Sequence, residues 1–218
     1  MLILADEFLL LTLQEKKGVV SHNPGQCLSL GLSCAILSEL VLANKIRVDE
    51  KSRVIVTDSS PGLEDLLEKY LASIRNTRRP RKVSHWIEEF RKNPKELRNR
   101  LFERLISKGI LKQEDGKYAW VIPYATNAKH DVAIKYWVKE HLRAVVIGGE
   151  PFDSRSAALL ELLLICDFLE FVFTVDEIKT VRKQLDSLLN ESGIGKEELK
   201  CLKAISAMAQ AHKATHHG

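Results

Sequence analysis

Apolar residues recur at helical spacing along most of the chain. Leu4, Phe8 and Leu11 mark a first helix predicted to end near Gly18. The following segments show the same periodicity: Cys27 to Ala43, Pro61 to Ile74, Val83 to Phe90, Pro94 to Lys108, Ala128 to Ile147, Ala157 to Val175, Thr174 to Asn190 and Glu197 to about Gln210. This pattern predicts a mainly α-helical protein.

Two segments alternate instead with the period of strands. Lys45 to Thr57 and Ile110 to Ile122 each alternate and turn once, the second around Asp115-Gly116, a favoured two-residue hairpin turn. We therefore expect one or two β-hairpins beside the helices.

The longest apolar stretch, Ala157 to Val175, is interrupted by Glu161, Asp167 and Glu170. A bilayer-crossing helix needs about 20 mostly apolar residues without such charges, whereas a helix apolar on nearly all sides is typical of the centre of a bundle. The predicted fold is a helical bundle around this central helix. Residues 1–211 are expected to form a single domain, followed by a flexible tail at 212–218.

Charge is distributed unevenly along the chain. The net charge of the 218 residues is only +4, yet the stretch from Arg75 to Lys112 holds 13 basic and four acidic residues. Charge separated in this way indicates an anionic partner, such as a phosphorylated headgroup, a nucleic acid or an acidic protein surface.

Sequence signatures of catalysis or metal binding are weak. Gly31 to Ala35 nearly matches the G-x-S-x-G motif of a nucleophile elbow, but no buried strand is predicted before it. Close helix packing therefore explains its small residues better. The four cysteines, Cys27, Cys34, Cys166 and Cys201, follow no zinc spacing and fit a reducing cytoplasm. We expect no enzyme activity, cofactor or metal.

Two cations lie where the helix dipole disfavours them. If Asn93 caps the helix that begins at Pro94, with Glu96 completing a capping box, then Lys95 lies in the first turn and Arg98 one turn beyond. A phosphate at that position would meet backbone N–H groups, an ammonium and a guanidinium together. Lys95 and Arg98 are therefore candidate headgroup ligands, with ordinary surface residues as the alternative.

A second basic group precedes this pair. Arg78, Arg79, Arg81 and Lys82 form a short cluster, and Arg91 follows in the next helix. These residues either belong to a solvated linker or face an anionic membrane, where each contributes about 1 kcal/mol of attraction.

Several of these features, taken in order, resemble the Golgi phosphoprotein 3 family. They are Leu4-Ala5-Asp6-Glu7-Phe8-Leu9-Leu10-Leu11, Gly18, the Cys27 to Leu40 helix, Arg79-Pro80 with Val83 and Trp86-Ile87, Leu97 to Leu101 through Lys108 to Leu111, the helix from Ala157, and Glu198 to Ala204. The resemblance covers nearly the whole chain. The sequence begins with the first helix of the domain, and in this respect it resembles the compact prokaryotic members of the family.

The resemblance implies a cytoplasmic, peripheral membrane protein. Eukaryotic members bind phosphatidylinositol 4-phosphate and retain glycosyltransferases by their cytoplasmic tails. It also implies self-association through the Ile110 to Ile122 hairpin. In the family's headgroup pocket two basic residues match Lys95 and Arg98, whereas the expected Trp and Arg fall near Pro24 and on Ser33.

Two other functions remain open from the sequence. The basic helix and hairpin from Pro94 to Ile122 follow the local pattern of a winged-helix nucleic-acid binder, although Glu114-Asp115 would occupy the wing tip. Alternatively, Tyr118, Trp120 and Tyr124 would form the contact surface of a protein-interaction scaffold.

Overall fold

The computed structural model describes residues 1–16, 19–22, 26–114, 117–120, 132–191 and 194–216. The helices are α1 Leu4–Thr12, α2 Gln26–Leu42, α3 Asp65–Arg75, α4 Val83–Arg91, α5 Pro94–Ser107, α6 Val132–Val146, α7 Ser154–Ile165, α8 Val175–Glu191 and α9 Lys196–His216. The strands are β1 Leu13–Lys16, β2 Val19–His22, β3 Ile46–Val48, β4 Val54–Val56, β5 Leu111–Glu114 and β6 Lys117–Trp120. The mainly α-helical fold with β-hairpins is thus confirmed.

The strands form two antiparallel sheets. One is the β3–β4 hairpin, with Ile46 opposite Val56, and the other is a four-stranded sheet in the order β1-β2-β6-β5. Both predicted hairpins are present, and Val20 of β2 pairs with Tyr118 of β6. The Ile110 to Ile122 hairpin is therefore joined to the N-terminal part of the chain, although Asp115, Gly116 and residues 121–122 lie outside the described residues.

The prediction that the first helix continues to Gly18 is wrong. Helix α1 ends at Thr12, whose hydroxyl donates to the Leu9 carbonyl, and Leu13 is already extended. The chain then enters β1, where pairing with β2 replaces the helical hydrogen bonds. Local apolar spacing cannot reveal this change, because it depends on pairing with a second segment of the chain.

Helix α2 packs against α1, α3, α4, α7 and α9 and occupies the middle of the bundle. Gly31 permits the close approach, since a Cβ there would lie 2.4 Å from the Phe8 ring and 2.8 Å from Cys166 Sγ. The predicted packing role of the small residues in α2 is confirmed at this position.

The apolar stretch predicted to be one long helix is broken. Helix α7 ends at Ile165, and Asp167 adopts a φ of 56°, the left-handed conformation that ends many helices. The Phe168 N–H donates to the Leu163 carbonyl at 2.8 Å, and a single 3-10 turn follows at Leu169–Phe171. The helical spacing of apolar residues continues through this region and so gives no sign that the helix ends at Ile165.

The last helix is longer than predicted. Helix α9 continues past Gln210 to His216, so residues 212–216 of the expected tail are helical. His212 is half-buried, and its Nδ1 lies 2.8 Å from Glu88 Oε1 of α4. Contact with α4 thus accompanies an extension that the amino-acid pattern alone did not indicate.

Candidate basic site at the ends of helix α4

Helices α4 and α5 meet in a short turn at Lys92 and Asn93. Pro94 occupies the first position of α5, as predicted, and Asn93 lies at the N-cap. The predicted capping box is wrong, because the Asn93 side chain makes no capping hydrogen bond. Glu96 instead pairs with Lys69 at 2.7 Å and with Arg100 at 3.2 Å. The first turn of α5 therefore lacks a side-chain acceptor from Asn93.

Lys95 and Arg98 lie on the first two turns of α5. Lys95 is exposed and forms no ion pair with any described residue, whereas Arg98 is half-buried. Residues three apart on a helix share a face. An exposed ammonium and a partly sheltered guanidinium thus lie near the positive end of the α5 dipole, a combination suited to a phosphate.

The other two positions of the family pocket offer no ligand of the expected type. Pro24 lies outside the described residues. Ser33 is fully buried in α2, where its hydroxyl donates to the Ser29 carbonyl at 2.9 Å. A buried hydroxyl that donates to a carbonyl of its own helix cannot replace a guanidinium at the surface.

Arg91 differs from the other basic candidates because it is half-buried. It contacts Nε2 of His212 on α9 through Nη1, while its buried Nε has no partner among the described residues. Burial raises the pKa of the Cys34 thiol to about 12, and the charge of Arg91 acts in the opposite direction. Arg91 thus lies between α4, α2 and α9 rather than on an open face.

At the other end of α4, the loop that carries Arg78, Arg79, Arg81 and Lys82 is exposed. Its backbone is held against the β3–β4 hairpin: the Val54 N–H donates to the Arg81 carbonyl at 2.8 Å, and the Val83 N–H to the Ser52 carbonyl at 2.9 Å. Within the described ranges, these four side chains make no ion pair. The loop therefore presents its charges to solvent on a fixed backbone.

Other cations of the same basic segment serve the fold. Arg104 contacts Asp6 Oδ2 at 3.0 Å and also Glu64, and Lys108 lies 3.6 Å from Glu64. Sequence reasoning counted both residues toward an anion-binding face. Their partners lie 40 to about 100 residues away in the chain, so no local pattern could have separated them from the exposed cations.

The predicted contact surface of aromatic residues is only partly described. Tyr118 stacks on Phe102 of α5 with ring centroids 4.0 Å apart, so this ring packs on the domain. Tyr124 lies outside the described residues, as does the environment of the Trp120 side chain.

No helix in the described part of the chain is both long enough and apolar enough to cross a bilayer. The order of the helices, the hairpin after α5 and the basic start of α5 agree with the features that suggested a family from sequence. The family model of Golgi phosphoprotein 3 (GPP34) matches residues 4–208, nearly the whole chain, and the protein therefore belongs to this family.

Proposed function

We propose that this protein is a non-enzymatic peripheral membrane protein that binds anionic phospholipid headgroups. The observation that carries the proposal is the exposed Lys95, which has no ion-pair partner among the described residues. It lies beside Arg98 at the start of α5, where the Asn93 side chain makes no capping hydrogen bond. The exposed cations of the Arg78 to Lys82 loop add a second, less specific attraction. Family membership supports the same class of ligand.

The two groups of cations lie at opposite ends of α4. Nine helical residues separate them, which corresponds to about 14 Å at about 1.5 Å per residue. A flat anionic membrane is large enough to contact both groups through separate headgroups. Lys95 and Arg98 are the phosphate ligands in this proposal, and the loop strengthens adsorption without selecting a lipid.

Selectivity for phosphatidylinositol 4-phosphate is expected to be modest. Lys95 is a point charge rather than a planar fork, and the buried Ser33 leaves one guanidinium of the family pocket missing. Recruitment of membrane enzymes by their cytoplasmic tails, and self-association through the hairpin, belong to the proposal on the basis of the family alone.

Liposome co-sedimentation tests the proposal. Vesicles of phosphatidylcholine are doped with either phosphatidylinositol 4-phosphate or phosphatidylserine at matched surface charge. The Lys95→Ala/Arg98→Ala double variant should bind about 30-fold more weakly, because each cation contributes about 1 kcal/mol. Lys92→Ala is the matched control: Lys92 is an exposed cation in the same turn, but it is paired with Glu89 at 2.6 Å.

If the double variant and Lys92→Ala bind the vesicles equally well, Lys95 and Arg98 are not headgroup ligands. A duplex DNA of the same charge density serves as a competitor. If that DNA binds more tightly than the vesicles and shows a steep salt dependence, the winged-helix alternative replaces the membrane proposal.

A further inference from the structure

A cavity of about 240 Å³ lies between α1, α6 and α7, and its lining includes none of the residues of the basic surface. Its walls include Val138, Leu142 and Leu159, each less than 5% exposed. At about 30 Å³ per water molecule, the volume corresponds to about eight waters. It therefore suits a small molecule with an apolar body.

Glu7 of α1 lines this cavity, and its charge is only partly compensated. The Nε of Arg155 donates to both Glu7 oxygens at 3.0 Å, while Nη1 of the same guanidinium donates to both oxygens of Glu39 at 3.3 Å. One positive charge is thus shared between two carboxylates. When both carboxylates are ionised, as at the pH of the titration described below, one negative charge is in excess at a buried position.

Arg155 itself is not available to an incoming anion. Its Nη2 donates to the Leu2 carbonyl at 2.7 Å, so each of its three nitrogens already has an acceptor. An anionic ligand would have to displace these contacts and would also meet Glu7 and the exposed Asp153 at the same cavity. The charge of the lining favours a cation.

An aromatic ring stands beside this acidic lining. Trp137 is 62% exposed, and it stacks in parallel on His141 with centroids 5.4 Å apart. Trp86, by contrast, is 2% exposed. An exposed indole face attracts ammonium groups through its quadrupole, most strongly where the cation is partly removed from water.

We propose that this cavity binds a small primary ammonium compound with an apolar chain of about six to eight carbon atoms. The ammonium group pairs with Glu7, and the chain packs on Val138, Leu142 and Leu159 beneath the Trp137 ring. The inference is independent of the lipid site, because the cavity and the basic surface share no residue.

Isothermal titration calorimetry at pH 8 tests the inference with three probes of one shape: n-hexylamine, 1-hexanol and hexanoate. Hexylamine should bind at least tenfold more tightly than hexanol, and hexanoate should be the weakest of the three. Equal affinities for the amine and the alcohol would overturn the proposal, since the cavity would then recognise only apolar surface.

Two neighbouring aromatic residues provide a matched pair of variants. Trp137→Ala should weaken hexylamine binding about tenfold, whereas Tyr136→Ala should not change it. Tyr136 is similarly exposed, at 56%, but does not line the cavity. Equal effects of the two substitutions, or no effect of either, would contradict the proposal.

A third variant addresses the charge. Glu7→Gln keeps the shape of the side chain and should abolish the preference for hexylamine over hexanol. Circular dichroism establishes that this variant is folded before titration. If folded Glu7→Gln still prefers the amine, Glu7 is not the counter-ion and the proposal fails. The Trp137 and Tyr136 pair decides the question independently if Glu7→Gln does not fold.

Discussion

Two groups of cations in this protein differ in their surroundings, although the amino-acid sequence does not distinguish them. Arg78, Arg79, Arg81, Lys82 and Lys95 are exposed, and none of them forms an ion pair with a described residue. Arg104 and Arg155 are largely buried, with 16% and 26% of their side chains exposed, and each contacts two carboxylates.

The difference shows what each group can do. A cation that already pairs with two carboxylates, at least one of them buried, stabilises the packing of α1 against its neighbours and is not available to a ligand. An exposed, unpaired cation contributes little to stability but retains its full attraction for an anionic surface. The position of a cation in the fold, rather than its residue type, decides whether it stabilises the fold or can bind an anion.

The largest effect is expected from removing a cation of the buried group. Arg155→Ala leaves Glu7 and Glu39 without their shared partner and should lower the free energy of unfolding by about 3–5 kcal/mol. Arg79→Ala, in the exposed group, should change it by less than about 0.5 kcal/mol. Urea unfolding followed by circular dichroism measures both. Equal losses would erase the distinction between the two groups.

A somewhat smaller effect should appear in the pH dependence of stability. Burial raises the pKa of Glu7 from 4.5 to about 7, against the opposing effect of Arg155, with Glu39 and Asp6 contributing to the rise. Between these pH values the folded protein keeps a proton that the unfolded chain has lost. Stability therefore falls by about 3 kcal/mol through this group as pH rises from 4.5 to above 7.

Glu7→Gln removes this titration. The free energy of unfolding of the variant relative to the wild type should rise by about 3 kcal/mol across that pH interval, in urea unfolding at several pH values. Glu96→Gln is the control, because Glu96 is exposed and its pKa is lowered by Lys69 and Arg100. Parallel pH curves for wild type and Glu7→Gln would contradict the assigned pKa.

The smallest effect is expected at an exposed ion pair. Arg100 lies 3.2 Å from Glu96 at a spacing of four residues, and both side chains are 44% exposed. Arg100→Ala should lower the free energy of unfolding by about 0.3–0.5 kcal/mol, and high salt should remove most of that difference. A loss of several kcal/mol would show that this pair belongs with the buried group.

Much of the local structure could be predicted from neighbouring residues. Thr174 and Glu177, three residues apart, form a reciprocal cap of α8, since the Thr174 N–H donates to Glu177 Oε2 at 2.8 Å and the Glu177 N–H donates to the Thr174 hydroxyl at 3.5 Å. The two strands of each predicted hairpin also lie within a few residues of each other in the chain. Such features could be predicted because both partners lie close together in the chain.

The arrangement of the candidate site was harder to predict from the sequence. Asn93 was correctly placed at the start of α5, yet Glu96 turned toward Lys69, 27 residues away, and the capping box did not form. Arg91 was grouped with the exposed cations, but its place between α4 and α9 depends on His212, 121 residues further along. Competition between a local partner and a distant one is decided only when the helices are packed.

The sequence by itself determined the helical periodicity, the two hairpins and the concentration of positive charge between Arg75 and Lys112, because these depend on the spacing and identity of neighbouring residues. Tertiary structure decided which of those charges remain free, and it enclosed the cavity that holds Glu7. Both depend on which distant side chains share a buried volume, because a charge in such a volume is costly unless a partner compensates it.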